Sequence, residues 1–195
     1  MINVLIGFFI AILIASLFTT RLFRLYFWYG LNSLILGTIS IFIGEYQQSK
    51  ELILIGIITI VVKFLIIPIA LKKITIKFNI SRDITPIIKI QYLTIIVPIV
   101  LVFTYYLITP ILNSFSMHPN FVAVSISSLF LSLLFIIEHR KMIAKIIGFL
   151  FIENSLFLLG IVATNGMPSL IELGVFFDLM MFILIINLLF KYQGE

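Results

Sequence analysis

No cysteine occurs in this 195-residue chain. Its absence excludes a disulfide, a thiolate metal site and an iron–sulfur cluster held by cysteine. Histidine is scarce too: only His118 and His139 occur, and both fall between apolar runs, in loops. A pair of haem ligands inside a membrane is thereby excluded; if the chain works with electrons, its partners carry the redox centres, and a bound quinone stays open. Charge is scarce as well, with 11% of residues charged against 62% hydrophobic. A soluble domain averages about a quarter charged and about half apolar. A chain this short keeps much of its surface exposed and cannot hide the surplus in one core. A soluble globular protein and a disordered chain are both ruled out. The sequence also lacks a P-loop, a GxGxxG, an HExxH and a nucleophile elbow. Too little chain remains outside the apolar runs to build a catalytic domain.

What is present is a series of long apolar runs. A hydrocarbon core of about 30 Å needs about 20 apolar residues in a helix. Seven stretches qualify: Val4–Thr20, Tyr26–Gly44, Leu52–Leu71, Ile90–Leu112, Phe121–Ile137, Met142–Thr164 and Leu170–Phe190. Lipid cannot satisfy exposed backbone groups, so spanning segments are helices or closed barrels. A barrel would alternate with period two, whereas these runs are continuous. The expected fold is an all-α integral membrane bundle of about seven transmembrane helices, a single membrane domain over 1–195. The fifth stretch is short and rich in serine, which leaves six spans as the alternative. The first is expected to be retained as a span, because no basic residue precedes it and no small-x-small cleavage site stands before Arg21.

With seven spans, one side of the membrane receives Arg21, Arg24, Lys72, Lys73, Lys77, Arg82, Lys89, Arg140, Lys141, Lys145 and Lys191. The other side receives Lys50, and Lys63 lies within a span. The positive-inside rule then puts the N-terminus outside and the C-terminus in the cytoplasm of a cell-membrane protein. The same bias explains the net charge of +5 with no nucleic-acid partner. The basic loop Lys72–Lys89 is expected to face lipid headgroups; a docking surface for a soluble partner is the sharper alternative. Tyr26, Trp28 and Tyr29 are expected at an interfacial aromatic belt. Glu45, Glu51, Glu138, His118 and His139 read as solvated.

Small residues recur along three spans: Gly30, Ser33, Gly37, Ser40 and Gly44 in the second, Gly7, Ala11, Ala15 and Thr19 in the first, and Ser125, Ser128 and Ser132 in the fifth. Such stripes let helices approach closely. Four ionisable residues lie deep in apolar runs. Lys63 is near the centre of the third span, Glu153 near the centre of the sixth and Asp178 near the middle of the seventh. Glu172 lies towards the outer end of the seventh. A charge near the bilayer centre costs about 2.5–3.5 kcal/mol on insertion scales. Such groups therefore face a shared interior and normally mark ion pathways. Pro68 follows Lys63 and clashes with the carbonyl of Phe64, which predicts a kink and a freed carbonyl beside the amine. Burial brings the protonation of an amine and a carboxyl closer together, so Lys63 with Glu153 or Asp178 could exchange a proton. The bland alternative is a static ion pair that only holds helices together. Glu172 and Asp178 are about 120° apart around their helix and are not expected to share a neighbour. Asn32, Asn154 and Asn187 are expected to be interhelical hydrogen-bond donors.

These residues stand in a pattern that resembles a known family, hydrogenase-4 component E, a membrane-arm subunit of group 4 nickel–iron hydrogenase complexes. Within Glu138–Ile186, Arg140, Gly148, the Glu153–Asn154 pair, Pro168, Leu170, Glu172, Gly174 and Asp178 follow the family's order and spacing. Lys63 to Pro68 resembles its K-x(4)-P helix, and Arg24 to Leu36 is a looser match. Together these stretches touch about half the chain. The resemblance divides the chain into N-terminal helices (1–112) and a C-terminal three-helix part (121–190) similar to the small K-type subunit of respiratory complex I. It implies acidic residues of a proton path in two successive helices: Glu153 as the first, and either Glu172 or Asp178 as the second. It also implies a non-catalytic subunit that contributes to proton or sodium translocation. Antiporter-like and anchor subunits would be its partners. Nickel–iron and iron–sulfur centres would sit in those partners, and this chain would hold no cofactor or metal. The residues alone also admit a stand-alone small secondary transporter or a purely structural membrane scaffold.

Overall fold

A computed structural model describes residues 2–77, 79–84, 86–112 and 119–163, with Met180 alone beyond them. Six helices fill these residues: α1 (Ile2–Leu17), α2 (Leu22–Tyr46), α3 (Lys50–Lys77), α4 (Ile90–Leu112), α5 (Pro119–Glu138) and α6 (Met142–Ala163). The last five include stretches long and apolar enough to cross a membrane, while α1 is shorter at 16 residues. The chain is thus a helical membrane protein. Six of the seven expected spans have their helix, and the seventh, Leu170–Phe190, lies outside the described residues.

The breaks between helices are written locally. After Ser16 and Thr19 return their hydroxyls to the carbonyls of Leu13 and Ala15, Arg21 turns extended and α2 begins. At the end of α2 the amides of Ser49 and Gln48 bond back to Gly44 and Glu45, a Schellman cap with Gln48 at φ 54°. Ser49 then caps α3 through the amide of Leu52, and Glu51 complements the helix dipole. Helix α3 closes with the same cap: the amides of Ile80 and Asn79 bond to Thr75 and Ile76, with Asn79 at φ 48°.

Helix α3 is not α-helical throughout. Ile60–Ile66 is wound as a π-helix, and the amide of Ile67 bonds to the carbonyl of Val62, five residues back. Pro68 lacks the amide that an α-register would aim at Phe64. The sequence predicts a kink at this proline; the structure shows the register widened in the turns just before it. Such segments collect at functional sites, and Lys63 sits in the middle of this one.

The small-residue stripe of α2 does allow close approach, and the helix it meets is α3. A side chain on Gly37 would lie 2.8 Å from the carbonyl oxygen of Gly56, and one on Gly56 would lie 2.8 Å from that of Gly37. The two backbones therefore touch at this crossing, a contact that only glycine permits. Gly44 packs as closely on Ile53. Ser125, Ser128 and Ser132 are also buried. The stripe on α1 corrects the expectation: Gly7 and Ala11 face outward, and nothing lies within 4 Å of a side chain placed at Gly7. The buried face of α1 is carried instead by the larger Phe9, Ile12, Leu13 and Leu17.

The turns that the charge bias assigned to one side do meet at one end of the bundle. Arg21 pairs with Asp83 and Pro86 with His139 through single β-bridges, and Lys141 donates to the carbonyls of Ser81 and Asp83. The α3–α4 loop thus straps the α1–α2 and α5–α6 turns. Two expectations are overturned at this end of the bundle. Glu138 and His139 are each only 1% exposed, because the loop covers them and the amide of Ile87 takes the Glu138 carbonyl. Tyr26 and Tyr29 are buried and form no belt. The Tyr26 hydroxyl shares a 2.6 Å hydrogen bond with Thr75, and the Tyr29 ring meets Phe151 edge-on.

Candidate functional site: a buried ion pair between two apolar clusters

Two clusters of buried apolar side chains fill the bundle. One, nearer the strapped end, holds Leu13, Tyr29, Ile67 and Phe151; the other holds Phe9, Leu36, Leu52 and Leu158. On α2, α3 and α6 the deep polar residues fall between these clusters: Asn32 and Ser33, Lys63, and Glu153 with Asn154. Polar groups so enclosed must find partners among themselves.

They do. The Lys63 Nζ lies 2.7 Å from Oε1 of Glu153, with the two side chains 2% and 7% exposed. Nζ also donates to Oδ1 of Asn154 at 3.3 Å. The Asn154 amide group donates in turn to Oδ1 of Asn32 and Oγ of Ser33, both at 3.0 Å. Asn32 passes the chain to α1 by donating to the carbonyl of Phe9, also at 3.0 Å. The ring of Phe157 stands 5.8 Å from Nζ, a favourable placing for a cation on an aromatic face. Four helices are tied at one level by this network. The π-helical winding helps to set it, since one extra residue per turn changes where Lys63 points relative to the rest of α3.

Of the four expected path residues, Lys63 and Glu153 come together; Glu172 and Asp178 lie outside the described residues, as do Asn187 and His118. Asn32 and Asn154 act as the interhelical donors the sequence indicated. Ser33 was read only as a small packing residue. Its position directly after Asn32 was the signal that it shares the polar level. Glu138 was missed as a buried acid: among the described residues neither of its carboxyl oxygens has a hydrogen-bond partner. His139, beside it, stacks on Phe135 with centroids 4.1 Å apart, and its Nδ1 lies 2.9 Å from the Phe135 carbonyl. Burial lowers the His139 pKa from its ordinary value, an effect partly offset by that hydrogen bond. Among the described residues no three His, Asp or Glu side chains gather into a metal-sized group.

Chemically, the pair can exist as ammonium and carboxylate or, after transfer of one proton along the 2.7 Å contact, as amine and acid. Comparison with protein-family models, with curated proteins and with solved structures gives no match to this chain.

Proposed function

We propose that this chain is a non-catalytic membrane subunit of a hydrogenase-type, complex I-related oxidoreductase. In this reading it links the redox module to antiporter-like subunits and contributes Lys63 and Glu153 to a proton or sodium path. It lies in the cell membrane with its N-terminus outside and its C-terminus cytoplasmic. The observation that carries the proposal is the buried Lys63–Glu153 contact of 2.7 Å on two apolar helices. Charges at this depth are expensive and normally serve ion movement. The resemblance supplies the complex, the partners and the second acid, Glu172 or Asp178.

In this role the pair works as a relay. A proton delivered to Glu153 neutralises the carboxylate and weakens its hold on the ammonium, so the pair's net charge changes by one. A neighbouring subunit's charged groups would respond to that change. Asn154 holds the amine in place while Glu153 changes state. Glu153→Gln keeps the size of the side chain but cannot take up a proton. In the assembled complex it should leave hydrogen oxidation with an artificial acceptor intact and reduce ion pumping. Unchanged pumping removes Glu153 from the path.

One observation favours a second reading, a static staple. The network runs on from Lys63 through Asn154 and Asn32 to the backbone of Phe9, as a purely structural clamp would. Neutral replacement of both Lys63 and Glu153 with full coupling retained would establish the staple.

A further inference from the structure

The outer flank of α2 and α3 carries a second constructed feature, independent of the ion pair. Phe23, Phe27 and Gly30 recur every three or four residues on α2, and Phe64, Pro68 and Lys72 recur every four on α3, so each set forms one row. Between the rows lies a groove of about 400 Å³. Gly30 forms its floor: a side chain there would meet Phe64 at 3.3 Å and Pro68 at 3.6 Å. Its walls are apolar, and Phe27 and Ile69 stand 57% and 54% exposed beside it.

One end of this groove is basic. The Lys72 Nζ lies 5.9 Å from the centroid of the Phe23 ring, and the Arg82 guanidinium lies 5.0 Å from the same ring. Both cations are exposed. Asp83 is the one acid between Lys72 and Lys89. Lys72 lines the groove itself, and Arg82 adjoins it at the Phe23 ring. Such basic pockets beside membrane helices, on the cytoplasmic side, suit anionic headgroups. An apolar slot lined by Lys72 towards the end of α3, with Arg82 adjoining it, matches an amphiphile with an acidic head.

We infer that this groove is a binding site for one anionic phospholipid, with its phosphate on Lys72 and Arg82 and an acyl chain along Phe27, Gly30, Phe64 and Pro68. The chain lies against the segment that frames Lys63, so occupancy would also stiffen the π-helical stretch. Trp28, the single tryptophan, neighbours Phe27 with ring centroids 5.9 Å apart and provides a local reporter.

The test uses the purified full chain in detergent, titrated with brominated phosphatidylglycerol or brominated phosphatidylcholine while Trp28 emission is read. The acidic lipid should quench with at least about fivefold higher apparent affinity, as about 1 kcal/mol per basic residue near the headgroups implies. Lys72→Gln with Arg82→Gln should abolish that preference, whereas Lys73→Gln with Lys77→Gln should keep it. Gly30→Leu, which fills the floor without changing charge, should weaken quenching by both lipids. Equal quenching by the two lipids, or equal loss from the two charge pairs, would overturn the site in favour of diffuse attraction. Competition by glycerol phosphate as effective as that of the whole lipid would overturn it in favour of a headgroup-only contact. Displacement of the lipid by a neutral quinone at lower concentration would overturn it as well.

Discussion

Replacing Lys63 by methionine tests the buried pair most directly. At 2.7 Å the two charges attract each other by about 6 kcal/mol if the effective dielectric is about 20. Removing each ion from water costs several kcal/mol, so the intact pair contributes little net stability. Loss of one partner is different, because the other is left buried and uncompensated at a cost of about 3–5 kcal/mol. Lys63→Met and Glu153→Gln should each show a loss of that size. The double variant leaves neither charge buried alone and should be far less damaged than the sum of the two. A coupling of at least about 2 kcal/mol is expected for partners in direct contact. Reversible unfolding in mixed micelles, followed by helix signal, provides the three differences. Single effects that add to within about 0.5 kcal/mol, as for distant sites, would refute the pairing.

Other outcomes follow from the same structure. Gly37→Ala drives a methyl group to 2.5 Å from Ile60 and 2.8 Å from the Gly56 carbonyl; spreading α2 from α3 should cost about 1–3 kcal/mol, seen as a lower melting temperature. Asn154→Leu leaves Asn32 and Ser33 without their amide donor and should cost about 1–3 kcal/mol in the same assay. The depressed His139 pKa means that the unfolded chain binds the proton more readily, so this residue's contribution is full above the ordinary value of about 6.5 and fades as pH falls below it. Relative to its His139→Phe variant, the wild type should therefore lose stability on acidification through that range, and parallel melting curves would contradict the assignment. Lys141→Met removes the donor to Ser81 and Asp83; the Leu22 amide, bonded to the Arg82 carbonyl, should then exchange its hydrogen faster.

The sequence revealed most where the physics is local or costly. Five apolar lengths, the shared end of the basic turns and the close approach along the Gly37 stripe all depend on composition and spacing, and the helices follow them. Lys63 and Glu153 were legible as partners because charges at that depth have few places to go. Sequence left the choice between Glu153 and Asp178 open, since a span's rotation is set by its neighbours. The π-helical stretch escaped because Pro68 announces a disturbed register without saying whether the helix bends or rewinds. Glu138 and His139 were misread for a related reason. They occupy a polar turn next to Arg140, and only the return of a loop about fifty residues distant in sequence buries them. The outward stripe of α1 shows that small residues permit close approach without requiring it.

The contact between Lys63 and Glu153 spans 90 positions of chain, and that interval has a consequence for biosynthesis. At about 5–20 residues per second, ribosomes need about 5–18 s to make the intervening chain. Throughout that delay the ammonium must reside in the bilayer, or wait at its edge, with its eventual partner not yet made. Helix α3 is the most apolar of the five long helices, which offsets the burden of carrying the lone cation through insertion. Assembly order is thereby built in: the first helices can enter early, but the bundle can lock only when the acid on α6 arrives.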